Sequence, residues 1–452
     1  MRRLTKSDGH AAGPCGSRLP PHGKPRRSRR TMMIEQPAFG RRLRQLRVQR
    51  GLSQSELAGD EVSASYVSRV ESGQRSPNDL IAAFFARRLD VPLQSLASPG
   101  PEEEGELRSR RLDIAGRLLE ARSLRKDGEL ADAAQLLRGI CAEAGGHAEE
   151  DVLWEAAWDL ADILRELGDA AEEHTVLADL SEATLSQETP RLAARVATAL
   201  SKNLHHQGRL GEAVRAAEHA VSVTVALPPT AHERVGAMLA LINSYADSGE
   251  LENASNLADT LQEIVEDIPS RQLRGQVYWA VGSARFLCER PRDATLLHER
   301  AFDCLHPDAN LVAWARLCRA SAALRLEYDP SDDAAQQAAR LLARARQALE
   351  LVGREDDMAD LMLAEAQLAL RLEQPERILE LTAAMRDGGV ALPLAGQGQC
   401  HMLAARAHTM SGDVDAAKDC YRHAAEILDR AGAYRQASEA WRRLSELLTT
   451  GP

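Results

Sequence analysis

The side chains able to do chemistry in this 452-residue chain divide by charge along its length. Arg41, Arg42, Arg44, Arg47 and Arg50 crowd one short stretch, and Arg69 and Arg75 follow. Residues 1–98 carry 18 Lys and Arg against 8 Asp and Glu, a net of +10 within a chain total of −11, so the remainder carries −21. Guanidinium groups at that density suit phosphate oxygens, which they can bond with a planar fork of donors. A basic head on an acidic body is the charge footprint of a segment that meets a polyanion, joined to one that repels it.

Other chemistry is poorly provided for. The sequence has no phosphate-cradling glycine loop, no H-E-x-x-H, no G-x-S-x-G and no strand–helix alternation to host them, so no enzyme is expected. His205 and His206 are a tempting metal pair, but neighbours on a helix point about 100° apart and no partner stands one turn away. Cys15, Cys141, Cys288, Cys304, Cys318, Cys400 and Cys420 are scattered without a C-x-x-C pair. That pattern argues against zinc and against a disulfide framework, and it favours a reducing cytoplasm. No metal or cofactor is expected. No apolar run approaches the roughly 20 residues of a membrane span, and the N-terminus lacks a signal-peptide core.

The elements that must position these groups are helices. Hydrophobic residues make up 44% of the chain and aromatic ones 4%, a mixture suited to Ala- and Leu-rich helices, so the expected class is all-α. Residues 1–31 read as a disordered basic tail, or as sequence upstream of a start at Met32 or Met33. Residues 37–97 read as a compact domain of short helices. Phe39, Leu43 and Leu46 give the first an apolar face, and Gly51 ends it. Ser53 with Glu56 is a capping box for the second, which turns Leu57 and Ala58 inward. Ser63 caps the third, Ala64 to Ser72, with Val67 and Val70 inside and Gly73 at its end. Ser76-Pro77 is expected to open a fourth, whose core face is Leu80, Ile81, Phe84, Phe85 and Leu89. Residues 98–106 read as a linker.

The segments Gly-Leu-Ser-Gln-Ser-Glu-Leu-Ala (51–58), Val-Ser-Ala-Ser-Tyr-Val-Ser-Arg-Val-Glu-Ser-Gly (62–73) and Arg-Ser-Pro (75–77) closely resemble the Cro/phage-repressor type of helix-turn-helix. The turn Gly59-Asp60-Glu61 is one residue shorter than the usual pattern. The resemblance implies that the third helix enters the major groove of double-stranded DNA. It puts Ala64, Ser65 and Arg69 on base-facing positions, with Tyr66 and Ser68 beside them and Ser63 at the helix start. Arg69 is the candidate for a bidentate bond to guanine. Gln54 is expected to hold phosphate or brace the reading helix, and Arg41, Arg42, Arg50 and Arg75 to reach phosphate. Glu71 has the wrong charge for DNA and is expected to pair within the domain. Domains of this type act as homodimers on two half-sites about one helical turn apart.

From 107 to 450 the chain reads as helical repeats. Gly128, Gly168, Gly208 and Gly249 stand 40, 40 and 41 residues apart, and Ala133, Ala213, Ala254 and Ala417 each follow a turn glycine by five residues. A helix ending at glycine and a small residue where the next helix crosses describe a hairpin. One hairpin cannot bury its apolar face alone, so hairpins stack into a solenoid. The turns resemble tetratricopeptide repeats, best at 398–431 with Gly412, Ala417, Tyr421 and Ala424. Residues 312–350 and 358–388 fit poorly, with Gln374-Pro375 in place of a clean turn. Trp154, Trp158 and Leu164 have helical spacing and read as core. Counting back from the turn glycines places Arg122, Lys126, Asp162, Glu166, Lys202, His206, Asn243 and Asp247 on the groove-facing helices. Head and body together resemble regulators of Gram-positive bacteria that sense small peptides, which implies a signalling peptide or protein in the groove. The competing reading is an interaction scaffold whose head has lost DNA binding.

Overall fold

The computed structural model describes residues 36, 38–97, 101–143, 149–331, 333–387 and 392–449. The tail expected at 1–31 lies outside them. Among the described residues the fold is all-α, without a strand. It divides into two units, 1–109 and 110–452.

The head holds α1 (Ala38–Gln49), α2 (Gln54–Ala58), α3 (Ala64–Glu71), α4 (Asp79–Arg88) and α5 (Gln94–Ala97). Its caps explain its boundaries. Ser53 Oγ accepts from Glu56 N at 3.1 Å while the Glu56 carboxylate accepts from Ser53 N at 2.6 Å, closing the capping box. Ser63 Oγ accepts from Tyr66 N at 3.1 Å. Phe39, Leu43, Leu57, Val67, Val70, Phe85, Leu89 and Leu96 fill one buried core. Two expectations fail at α4. Asn78, not Ser76, caps the helix, its side-chain oxygen accepting from Ile81 N at 2.9 Å, and Pro77 is buried ahead of it. Leu80 is 80% exposed, because the inner face is centred on Ala82, Phe85, Ala86 and Leu89 and Leu80 lies opposite it on the helix.

The body runs through α6 (Pro101–Asp127), α7 (Leu130–Cys141), α8 (Glu150–Leu167), α9 (Ala170–Glu182), α10 (Thr184–Glu188), α11 (Pro190–His206), α12 (Leu210–Val223), α13 (His232–Ser248) and α14 (Leu251–Ile264). It continues through α15 (Arg271–Leu287), α16 (Pro291–Cys304), α17 (Leu311–Tyr328), α18 (Ala334–Val352), α19 (Glu355–Arg371), α20 (Pro375–Asp387), α21 (Leu394–Met410), α22 (Val414–Ala431) and α23 (Tyr434–Thr449). Residues 101–106, expected as linker, are therefore helical: proline at the first position followed by three glutamates is the composition of a helix start.

The antiparallel pairs α8/α9, α11/α12, α13/α14, α15/α16, α17/α18, α19/α20 and α21/α22 stack in order, and α6 and α7 share a core at the start of the row, so the body is an α-solenoid of tetratricopeptide-like hairpins. Gly128, Gly168, Gly208, Gly249 and Gly412 take φ between +75° and +87° at the turns. Ala133, Ala213, Ala254, Ala294 and Ala417 are buried at the crossings. The two regions of poor sequence match are also hairpins. At two turns a glutamate stands in the left-handed region, Glu289 at φ +57° and Glu373 at φ +55°, each with proline opening the next helix. Trp154 and Trp158 are half-buried and stacked, ring centroids 5.7 Å apart, over the core beside Leu177 and Leu180.

Candidate functional site

In the head, α3 has two unlike sides. Val67, Val70 and Glu71 are buried, whereas Ser65, Ser68 and Arg69 are exposed at i, i+3 and i+4, forming one solvent-facing stripe. Ala64 and Tyr66 beside it are half-buried. Arg69 Nε donates to the Ser65 carbonyl at 3.4 Å, and Arg69 enters no ion pair among the described residues. The Arg75 guanidinium lies 4.9 Å from the centre of the Tyr66 ring, and the Arg75 carbonyl accepts from Gln36 Nε2 at 2.8 Å. These contacts place the loop cation next to the exposed stripe.

The back of α3 is held by polar groups. Arg47 Nε lies 2.6 Å from Glu71 Oε1, and Gln54 Nε2 donates to Glu71 Oε2 at 2.8 Å. Glu71 thus pairs within the domain, and Gln54 braces α3. The hydrogen bond that Arg47 donates to Glu71 raises the Arg47 pKa, outweighing the cost of its partial burial. The short turn is met by Gly59 at φ +53°, packed under Phe84 and Arg88, whose guanidinium bonds the Glu56 carbonyl.

Other expected phosphate ligands have internal partners. Arg42 donates to the Ser95 carbonyl at 3.3 Å and to Gln45 at 2.7 Å. Arg50 donates to the Asp90 carbonyl at 3.2 Å. Arg41 is exposed on α1. The Ser63 hydroxyl is committed to its cap.

In the body, α11, α13, α15, α17, α19 and α21 pack each against the next, whereas the second helices of successive hairpins do not pack extensively on one another. The first helices therefore form the inner wall. Residues about one repeat apart meet there, and several groove residues are engaged in such pairs. Arg122 Nε bonds Asp159 at 2.7 Å, Arg125 lies 3.7 Å from Asp162 and also bonds Glu166, and His205 rather than His206 meets Asp247 at 2.5 Å. Asp162 also accepts from Arg165 at 2.7 Å. Lys126 and His206 are exposed. Sequence reasoning missed these pairs because repeat spacing gives the position of a side chain and not its partner.

Lys202 and Asn243 differ from them. They occupy the same place on α11 and α13, both are exposed, and neither makes a hydrogen bond or ion pair among the described residues. Lys202 is exposed as a residue, yet the protein packed about its ammonium removes enough water to lower its pKa, with Arg165 adding repulsion. No group of three or more His, Cys, Asp or Glu able to hold a metal occurs among the described residues. Nor is any described helix long and apolar enough to cross a membrane.

Residues 38–96 match the family described as helix-turn-helix domain. A search of curated proteins gives no match. Among solved structures, the chain is similar to the Rap protein complexed with competence and sporulation factor, at 12% identity over 91% of this chain and 97% of that one, with a TM-score of 0.47. It is also similar to Bacillus thuringiensis PlcR in complex with the peptide PapR7 and DNA, at 15% identity over 70% and 99%, TM-score 0.29. A third is the P58(IPK) TPR domain, at 13% identity over 75% and 98%, TM-score 0.22. Residues 38–96 are thus a helix-turn-helix domain, and the chain joins it to a body of tetratricopeptide-like hairpins.

Proposed function

We propose that the chain is a sequence-specific DNA-binding transcription regulator of the cytoplasm, acting as a homodimer, whose repeat body holds a regulatory peptide or protein. The observation that carries this reading is α3: a braced helix with an exposed Ser65, Ser68 and Arg69 stripe, inside a domain matched as helix-turn-helix. Braced from behind and open in front, such a helix is pre-organised to lie in a major groove. Lys202 and Asn243 are the groove residues best suited to a ligand. An ammonium can meet a carboxylate, and a carboxamide can pair with peptide N–H and C=O whatever the sequence. The function assigned is binding, without catalysis.

Selection of bound sites from random double-stranded DNA by the full-length protein tests the reading. The expected result is an inverted repeat with half-sites roughly ten base pairs apart. A single, unpaired site would remove the dimer from the proposal. No enrichment at low salt, where phosphate attraction is greatest, followed by no enrichment for residues 32–105 fused to a dimeriser, would favour the scaffold reading instead.

A further inference from the structure

A cavity of about 800 Å³ opens where the C-terminal ends of α17 and α19 and the middle of α21 meet α22 and α23. That is within the roughly 300–1,000 Å³ of small-molecule sites. Leu370, Met402 and Leu403 supply apolar wall. Arg435 of α23 reaches across to α17, donating to the Tyr328 hydroxyl at 2.9 Å and lying 3.7 Å from Glu327. That contact, between residues 107 apart in sequence, ties α23 to the end of α17.

The polar groups of this cavity are left incomplete. Gln367 Oε1 and Gln436 Oε1 are buried with no hydrogen-bond partner. Arg371 and Arg406 also line the cavity, and neither has a hydrogen bond or ion pair among the described residues. Elsewhere in the body Arg316 and Arg346 each grip a carboxylate. The carboxylates of the cavity do not balance the two arginines. Glu327 is met by Arg435, and Glu439 by Arg442 and Arg443, which leaves Glu373 against two guanidinium groups.

We propose that this cavity binds an amphipathic carboxylate. Its anionic group sits between Arg371 and Arg406, and its hydrocarbon lies on Leu370, Met402 and Leu403. An N-acylated amino acid has this chemistry. The site involves neither α3 nor the Lys202 and Asn243 positions, so it stands or falls independently of the proposed DNA function.

The test uses dansylaminoundecanoic acid, a fluorescent carboxylate with a sulfonamide N–H and an alkyl chain, titrated into the full-length protein without DNA. Saturable, blue-shifted emission is expected. Its methyl ester, which keeps the same chain and sulfonamide but carries no charge, should bind about ten-fold more weakly or less, as expected if the arginines read charge. Arg371→Ala with Arg406→Ala should weaken the carboxylate by a similar factor, while Arg290→Ala, in the α15–α16 turn, should leave it unchanged. Absence of saturable binding would overturn the proposal, as would equal affinity for the two probes. Full retention of affinity in the double variant would also overturn it. If that variant does not fold, as judged by its helical circular dichroism, the comparison of the two probes on the native chain decides.

Discussion

Gln54, the first residue of α2, donates through Nε2 to Oε2 of Glu71, the last residue of α3, at 2.8 Å. Arg47 of α1 takes both oxygens of the same carboxylate, at 2.6 and 3.1 Å. One acidic side chain, 3% exposed, therefore joins three helices of the head. Because its bonds leave from the buried side, they fix the axis of α3 without using its outer stripe.

Removing one member of a buried pair leaves the other charge without a partner, which typically costs about 3–5 kcal/mol. Glu71→Ala should destabilise the head on that scale. Gln54→Ala, which removes a single hydrogen bond to a charged group, should cost roughly 1.5–3 kcal/mol. Hydrogen exchange of the α1–α3 amides in the full-length protein reads both effects without interference from the body. Protection of α3 unchanged by Glu71→Ala would mean that apolar packing alone holds the helix.

The turns give a second prediction. Glu289 and Glu373 stand at φ +57° and +55°, where an L side chain meets the following carbonyl and glycine does not. Glu289→Gly and Glu373→Gly should each stabilise the body by up to about 1 kcal/mol, the relief exceeding the extra entropy of an unfolded glycine. Gly249→Ala, at φ +87°, should cost roughly 1 kcal/mol or more. Thermal unfolding of the three variants compares them directly.

These turns also show where the sequence could be read and where it could not. A turn glycine with an alanine five residues later is a local signal, so the hairpins at 128, 208, 249 and 412 were legible. Glu373 carries no such signal, because a residue forced left-handed by its surroundings looks like any other in sequence. The head was legible for the same local reason: Ser53, Glu56 and Ser63 cap their own helices. Leu80 was misplaced because the buried face is centred on Ala82, Phe85, Ala86 and Leu89, and at 100° per residue Leu80 falls opposite it. The inner-wall pairs and the cavity beside α23 join residues far apart in the chain, and no periodicity specifies which arginine keeps a partner.

Glu173 yields a pH prediction. It stands five residues after Gly168, the place other hairpins give to alanine, and it is buried. Burial raises its pKa above the usual 4.5, although a 2.8 Å hydrogen bond from Asn203 Nδ2 partly opposes the rise. A carboxyl with a raised folded pKa holds its proton longer in the native state than in the unfolded one. Its contribution to stability is therefore most favourable below pH 4.5 and is lost as pH rises through the folded value. Glu173→Gln removes that titration and should raise the melting temperature near pH 7 more than near pH 4. An equal effect at both values would mean that Asn203 fully compensates the buried charge.

The two exposed arginines of the reading face should separate under mutation. Arg69 lies within the Ser65–Ser68 stripe, where a side chain inserted in the major groove meets base edges, whereas Arg75 sits in the following loop against Tyr66. Arg69→Ala should relax base preference at one position of the selected site and cost about 1–3 kcal/mol on the preferred sequence. Arg75→Ala should weaken preferred and random DNA alike and reduce the salt dependence of binding by about one counterion. Binding measured for both variants on preferred and scrambled sites over a salt series distinguishes the roles. A uniform loss for Arg69→Ala would make it a phosphate ligand and leave base reading to Ala64, Ser65 and Ser68. A position-specific loss for Arg75→Ala would extend the reading face into the loop.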